Sequence, residues 1–128
     1  LQQQICCENF ISQDLTVMGE TFLLRQAFAN LLENALDFTP AGGFIRISSA
    51  SASQQLTLAV ENQGEAIPDF AFARLTERFY SLPRPATGKK STGLGLNFVQ
   101  EVAQLHGASL QLANTGQGVA ARIIFDFT

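Results

Sequence analysis

The clearest hydrophobic pattern along the chain lies between residues 22 and 38. Apolar side chains recur there at the spacing of an α-helix, at Leu24, Phe28, Leu31, Leu32, Ala35 and Leu36. Thr21 is placed to cap this helix, and Pro40 followed by two glycines is placed to end it. The pattern therefore predicts an amphipathic helix from about residue 22 to residue 38, with one broad apolar face.

The polar positions of this helix are unusual. Asn30, Glu33, Asn34 and Asp37 form one stripe at helical spacing. Asparagine is a poor helix former because its side chain competes for backbone hydrogen bonds, and a solvated face would more naturally use Glu, Lys and Gln. Two interpretations stay open at this point, a solvated face and an asparagine pair turned toward a ligand. An amide oxygen can help to hold a Mg²⁺ ion whose other ligands are phosphates and water.

Alternating patterns elsewhere predict a sheet. The expected strands are 1–9 (at an edge), 15–18, 44–51, 56–62, 109–113 and 119–127, with a hairpin between the last two. The expected further helices are a short one at 69–75 and one at about 93–105, which His106 and Gly107 end. Residues 76–92 form a long predicted loop, and such loops inside a compact domain are usually functional or mobile.

Composition narrows the class of protein. The chain has 128 residues, 46% of them hydrophobic and 15% charged, which is typical of one folded domain over residues 1–128. A net charge of -3 argues against a nucleic-acid partner, and no apolar run approaches the ~18 residues of a membrane span. Cys6 and Cys7 are adjacent and bridge poorly, so we expect two reduced thiols. Because Leu1 is not a methionine, we expect a fragment of a longer protein.

The stretch from Lys89 to Val99 (KKSTGLGLNFV) points to a ligand. A glycine-rich segment that opens a helix presents free backbone N–H groups and the positive end of the helix dipole, which suits a phosphate. Together with the asparagine pair and a strand that ends at Asn62, it fits a nucleoside triphosphate with Mg²⁺. A P-loop motif is absent, and the single histidine, His106, gives no Ser-His-Asp arrangement.

Four segments resemble the GHKL ATP-binding domain of sensor histidine kinases. In chain order they resemble its N box, first glycine box, F box and second glycine box, at Asn30–Pro40, Asn62–Pro68, Glu77–Tyr80 and Thr92–Leu96. Their joint order is far more specific than any one of them, and the resemblance covers about residues 14–127. The run ERFYSLPR from Glu77 to Arg84 further resembles sensor kinases of the CreC type.

The resemblance implies an α/β two-layer sandwich, with a mixed sheet of about five strands and three helices on one face. It implies ATP and Mg²⁺ as cofactors, and transfer of the γ-phosphate to a histidine on a separate helical dimerisation domain. A cognate response regulator would then receive the phosphate. The domain would be the cytoplasmic part of an inner-membrane sensor, without membrane contact of its own. The isolated chain would bind nucleotide but not autophosphorylate.

The resemblance also assigns site residues. Asn30 and Asn34 are the implied catalytic residues, and Asn34 is the implied metal ligand. The implied nucleotide-binding residues are Asn30, Asn34, Asp37, Asn62, Gly64, Ala66, Ile67, Phe79, Lys89, Lys90, Thr92, Gly93, Leu94, Gly95 and Leu96. Asn30 stands where the ATPase branches of the superfamily place a glutamate base. An amide cannot take up a proton, so the kinase branch is favoured over hydrolysis.

Within the N box and the first glycine box, three positions depart from the family pattern. Asn62 replaces an aspartate that accepts a hydrogen bond from adenine, Ala66 replaces a glycine, and Asp37 replaces a basic residue that reaches a phosphate. These departures keep two alternatives open. One is a degenerate nucleotide-binding domain that serves as a protein-interaction or regulatory module. The other is a serine kinase of the anti-sigma-factor type.

Asn62 generates a testable prediction. Hydrogen bonds to charged groups contribute roughly 1.5–3 kcal/mol and neutral ones about 0.5–1.5 kcal/mol, so binding should be weakened but retained. Because an amide can also flip and donate, discrimination against guanine should relax. We expect a smaller ratio of ATP to GTP affinity in the natural chain than in Asn62→Asp, measured by calorimetry. An unchanged ratio would contradict the prediction.

Overall fold

The computed structural model describes residues 6–9, 19–52, 54–72, 74–77 and 95–126. The elements are, in chain order, β1 (Cys6–Asn9), α1 (Thr21–Phe38), β2 (Phe44–Ala52), β3 (Gln55–Gln63), α2 (Asp69–Phe72), α3 (Gly95–Leu105), β4 (Ala108–Asn114) and β5 (Gly118–Asp126). The strand expected at 15–18 and most of the loop expected at 76–92 lie outside the described residues. So do residues 93 and 94, where the sequence placed the start of the third helix.

The five strands form one sheet in the order β1-β2-β3-β5-β4. β1 runs parallel to β2, and the other neighbouring pairs are antiparallel. The expected mixed sheet is therefore confirmed, with β1 at one edge as the sequence predicted. α1 and α3 pack against each other, and they contact β3 and β4 respectively, which gives the expected helical layer.

The core lies between this helical layer and one face of the sheet. Strand residues alternate between the two faces, and the register aligns the apolar rows of β3 and β5, so that Val60 lies opposite Ala121 and Leu56 opposite Phe125. The buried cluster consists of Ala27, Leu31, Ala35, Ile45, Leu56, Val60, Val99, Val102, Ala103, Ile123 and Phe125. The opposite face carries polar side chains, including Arg46, whose guanidinium lies 4.9 Å from the Phe44 ring centroid.

Two details of α1 differ from the prediction. Its N-cap residue is Glu20, without a side-chain cap, and Thr21 is the first helical residue, so the predicted Thr21 cap is wrong. Leu36 was expected on the apolar face, but its side chain is 47% exposed. The buried stripe is narrower and centres on Ala27, Leu31 and Ala35. Leu36 falls more than a quarter-turn away from that centre.

The end of α1 follows the sequence closely. The Thr39 hydroxyl donates a hydrogen bond to the Ala35 carbonyl at 2.5 Å and is buried. Pro40 then cannot continue the helix. The Gly43 N–H donates to the Pro40 carbonyl at 2.9 Å, and Gly42 has a φ of 82°, a conformation that favours glycine. This tight turn leads the chain directly into β2.

His106 joins the end of α3 to the start of α1. Its Nε2 accepts a hydrogen bond from the Glu20 N–H at 2.9 Å, and its Nδ1 lies 2.8 Å from the Val102 carbonyl oxygen. These two partners require the neutral ring with its proton on Nδ1. Gly107 follows with a φ of 67°, so the predicted helix stop is confirmed. The sequence placed His106 at a helix end, but it gave no sign of the partner at Glu20.

In the part of the chain that the structure describes, no helix is both long and apolar enough to cross a membrane.

His106 generates a prediction about stability. His106→Ala removes both hydrogen bonds of the ring, so the free energy of unfolding should fall by about 1–2 kcal/mol in urea denaturation. Gln104→Ala, at an exposed position near the end of the same helix, is the matched control and should change stability by less than about 0.5 kcal/mol. Equal stabilities of the two variants would show that the junction contributes nothing.

Candidate functional site

Asn62 is a buried polar side chain at the end of the apolar row of β3. Leu56, Leu58 and Val60 lie on the helix-covered face, and Asn62 is the next residue on that same face, with 9% of its surface exposed. Its Nδ2 donates to the Gln63 carbonyl at 3.2 Å. Flipping the amide would oppose two oxygens there, so this assignment leaves Oδ1 as the group that can accept a hydrogen bond from a ligand.

Gly64 brings the end of β3 against the last turn of α1. A Cβ atom added to Gly64 would lie 2.7 Å from the Phe38 carbonyl oxygen and 3.3 Å from Asn62 Nδ2. Only a residue without a side chain permits so close an approach. The segment that resembles the first glycine box (Asn62–Pro68) therefore meets the C-terminal end of α1, which carries Asp37.

The asparagines of α1 lie at the border of its buried stripe. Asn30, Asn34 and Asp37 are half-buried, whereas Glu33 in the same predicted stripe is exposed. Asn30 Oδ1 accepts a hydrogen bond from Gln26 Nε2 at 3.1 Å. Within the described residues, no hydrogen bond engages the Asn34 side chain. Asn34 is thus a half-buried amide available to a ligand.

The loop after β3 is anchored to the hairpin between β4 and β5. The Gly64 N–H donates to the Gln117 carbonyl at 3.1 Å. The Ile67 N–H donates to Asn114 Oδ1 at 2.8 Å, and Asn114 Nδ2 donates to the Ile67 carbonyl at 3.0 Å. Sequence reasoning treated residues 114–118 only as a turn and missed this anchor. Its only signal was an asparagine at a strand end, a residue whose amide can both donate and accept.

The start of α3 supplies the remaining described part of the site. Gly95 is the first helical residue and is exposed, and apart from its chain neighbours and its own helix backbone, no heavy atom of the described residues lies within 4 Å of where its Cβ would be. Leu96 packs against the core. Asn97 Nδ2 donates to the Thr76 carbonyl at 2.9 Å, which ties the first turn of α3 to residues 74–77. The N-terminal N–H groups of α3 carry the partial positive charge that favours an anion.

The predicted site residues are thus placed in part. Asn62, Gly64 and the end of α1 come together, Ile67 is half-buried, and Ala66 is exposed. The remaining predicted positions lie outside the described residues, namely Phe79, Lys89, Lys90, Thr92, Gly93 and Leu94.

The donor set suits a lightly held cation. Over the described residues, no group of three or more His, Cys, Asp or Glu side chains could hold a metal ion. Mg²⁺ in nucleotide sites is held mainly by phosphates and water, with one or two protein oxygens. The available amide of Asn34 fits that need.

Comparison with known proteins now identifies the family. Residues 19–128 match the family described as histidine kinase-, DNA gyrase B-, and HSP90-like ATPase. The chain belongs to this family. The predicted GHKL family is confirmed.

Two relatives and one solved structure define the match. The chain is 50% identical over 105 residues to sensor protein CreC of Escherichia coli (strain K12), which covers 82% of this chain and 22% of CreC. It is 33% identical over 107 residues to heme sensor protein HssS of Staphylococcus aureus (strain JH9), and this match covers 84% of this chain and 23% of HssS. The nucleotide-free catalytic domain of histidine kinase ThkA superposes on this chain with a TM-score of 0.84 at 25% identity. The superposition covers 97% of this chain and 81% of the ThkA chain.

These matches confirm the CreC-type resemblance and the fold. The chain spans about a fifth of the length of the curated relatives it matches.

Gly64 provides a test of this geometry. Gly64→Ala places a methyl group against the Phe38 carbonyl, so the free energy of unfolding should fall by about 1–3 kcal/mol. Gly116→Ala is the control, because a Cβ there meets no described residue within 4 Å other than its chain neighbours. Both are measured by urea denaturation. A Gly64→Ala chain as stable as the control would show that β3 and α1 do not approach this closely.

Proposed function

We propose that this chain is the ATP- and Mg²⁺-binding catalytic domain of a two-component sensor histidine kinase. In the parent protein it transfers the γ-phosphate of ATP to a histidine on a separate helical dimerisation domain. The observation that carries the proposal is the meeting of the α1 end with Asn62 and Gly64 in a chain 50% identical to a sensor protein. Residues 1–128 form one such domain.

Asn62 recognises the base in this proposal. Its Oδ1 accepts a hydrogen bond from the adenine amino group, and Gly64, Ala66 and Ile67 line the base subsite. The neutral amide weakens this contact by about 1 kcal/mol relative to a carboxylate. The hydrogen bond from Nδ2 to the Gln63 carbonyl supports adenine recognition, because a flip toward guanine would break it. It limits the loss of discrimination expected from the amide alone.

Asn34 holds the metal ion. Its half-buried amide has no competing hydrogen bond among the described residues, and Mg²⁺ needs little more from the protein when phosphates supply its other ligands. The ion neutralises phosphate charge when it is bound. Asp37 adds negative charge at the same end of α1, and we propose that Lys89 and Lys90 compensate for it. The phosphates are bound by Thr92, Gly93, Leu94, Gly95 and Leu96, and Phe79 is a further nucleotide-binding residue in this proposal.

Asn30 suits phosphoryl transfer rather than ATP hydrolysis. Hydrolysis requires a group that removes a proton from water, and the Asn30 amide, hydrogen-bonded to Gln26, cannot act in that way. Transfer to histidine requires no activated water. The imidazole nitrogen bonds to the γ-phosphorus as the bond to the bridging oxygen breaks and ADP leaves, so catalysis consists mostly of positioning and charge stabilisation.

The acceptor histidine belongs to another domain. His106 uses both ring nitrogens in the junction with Glu20 and Val102, so it is not the acceptor. The isolated chain should bind nucleotide without autophosphorylation. We propose a cognate response regulator as the second partner. The ThkA kinase has been captured in complex with response regulator protein TrrA, which supports this by analogy. We further propose that the domain lies on the cytoplasmic side of an inner-membrane sensor.

A second candidate is a degenerate domain that acts through protein contacts. It is favoured by the identities of Asn62, Ala66 and Asp37, each of which departs from the family pattern at a proposed nucleotide-binding position.

Calorimetry distinguishes the two candidates. We expect a non-hydrolysable ATP analogue to bind this chain with micromolar to sub-millimolar affinity in the presence of Mg²⁺. Binding should weaken at least tenfold, about 1.4 kcal/mol, without Mg²⁺ or in Asn34→Ala. Arg25→Ala, at an exposed position of α1, is the control and should bind normally. No detectable binding at millimolar nucleotide would favour the degenerate module.

A further inference from the structure

The Asn114 side chain acts as a strand partner for a residue far away in sequence. It is the last residue of β4, and its amide makes both hydrogen bonds that a neighbouring strand would make to Ile67. Oδ1 accepts from the Ile67 N–H at 2.8 Å, and Nδ2 donates to the Ile67 carbonyl at 3.0 Å. The two residues are 47 positions apart, so this contact is tertiary and not part of a local turn.

Among the residues that the structure describes, few other contacts support the loop that Asn114 holds. Residues 65–68 belong to no helix or strand, and Glu65 and Ala66 are exposed. On one side, the Gly64 N–H donates to the Gln117 carbonyl at 3.1 Å. On the other side, α2 begins at Asp69. Between these points the paired contact with Asn114 defines where the backbone of the loop runs.

The hairpin that carries Asn114 is itself well braced. The Thr115 N–H donates to the Gly118 carbonyl at 2.8 Å, and the Gly118 N–H donates to the Thr115 hydroxyl at 2.9 Å. Gly118 lies so close to β3 that an added Cβ would overlap the Asn62 carbonyl oxygen. The hairpin therefore holds the Asn114 backbone at a fixed distance from Asn62, the residue beside the loop.

We infer that Asn114 is a positioning residue for nucleotide binding: it holds the loop 64–67 at the distance from Asn62 that accommodates the base. This inference rests on the proposed function. Asn114 touches no nucleotide in this arrangement and acts through the Ile67 backbone. Its loss should weaken recognition of the base while leaving recognition of the phosphates unchanged, because the proposed metal and phosphate residues, Asn34 and residues 89–96, lie outside the loop 64–67.

The test compares two ligands in the intact chain. Asn114→Ala should lower the affinity for the Mg²⁺ complex of a non-hydrolysable ATP analogue by threefold to tenfold. Its affinity for the Mg²⁺ complex of inorganic triphosphate, which lacks the base, should not change. Asn114→Asp, which keeps an acceptor for the Ile67 N–H, should recover part of the ATP affinity. Gln111→Ala is the matched control, since it removes an exposed amide from the same strand.

A second readout needs no nucleotide. The Ile67 amide should exchange with deuterium at least tenfold faster in Asn114→Ala than in the natural chain or in Gln111→Ala.

The inference is overturned if Asn114→Ala binds both ligands as the natural chain does, or loses affinity for both equally. It is also overturned if Ile67 exchange is unchanged. Failure of the proposed function has a different signature, because the natural chain itself would then bind neither ligand while the exchange difference at Ile67 remained.

Discussion

The alternation of side chains along β3 is the constraint on which the rest of the site depends. The row of Leu56, Leu58 and Val60 packs beneath the helices, and Asn62 continues that row at the point where the helices end. A shift of the strand by one residue would turn the whole row to the other face of the sheet. The burial of the core therefore also determines that Asn62, and not Glu61 or Gln63, faces the proposed nucleotide.

Side chains that bond to distant backbone groups hold the ends of the elements together. His106 reaches the N–H of Glu20, Asn97 reaches the carbonyl of Thr76, and Asn114 reaches both groups of Ile67. Each contact satisfies backbone groups where no helix or strand ladder can do so. The core thus places the elements, and these contacts define the loops between them, which are the segments that form the proposed site.

The helices and strands with a clear hydrophobic period were predictable from the sequence, but the hydrogen bonds between residues far apart in the chain were not. The bounds of α1, β2, β3 and β5 agree with the predictions within about two residues, because each has a clear hydrophobic period. The width of the buried stripe was misjudged at Leu36, since the sheet covers only part of the helix. The partners of His106 and Asn114 are 86 and 47 positions away and leave no periodic signal. The motifs indicated Asn62 and Gly64 as site residues. That position 64 must be a glycine because it approaches the Phe38 carbonyl could be seen only in the fold.

The central claim is that nucleotide binds where the end of α1, the end of β3 and the start of α3 meet. The most direct measurement is a heteronuclear NMR titration of the labelled chain with Mg²⁺ and a non-hydrolysable ATP analogue. The account predicts that the backbone amides of Asn34, Gly64 and Gly95 shift with a common affinity, while that of Arg122, whose side chain lies on the sheet face opposite the helices, does not. Shifts that cluster around Arg122, with none at Asn34 and Gly64, would contradict it.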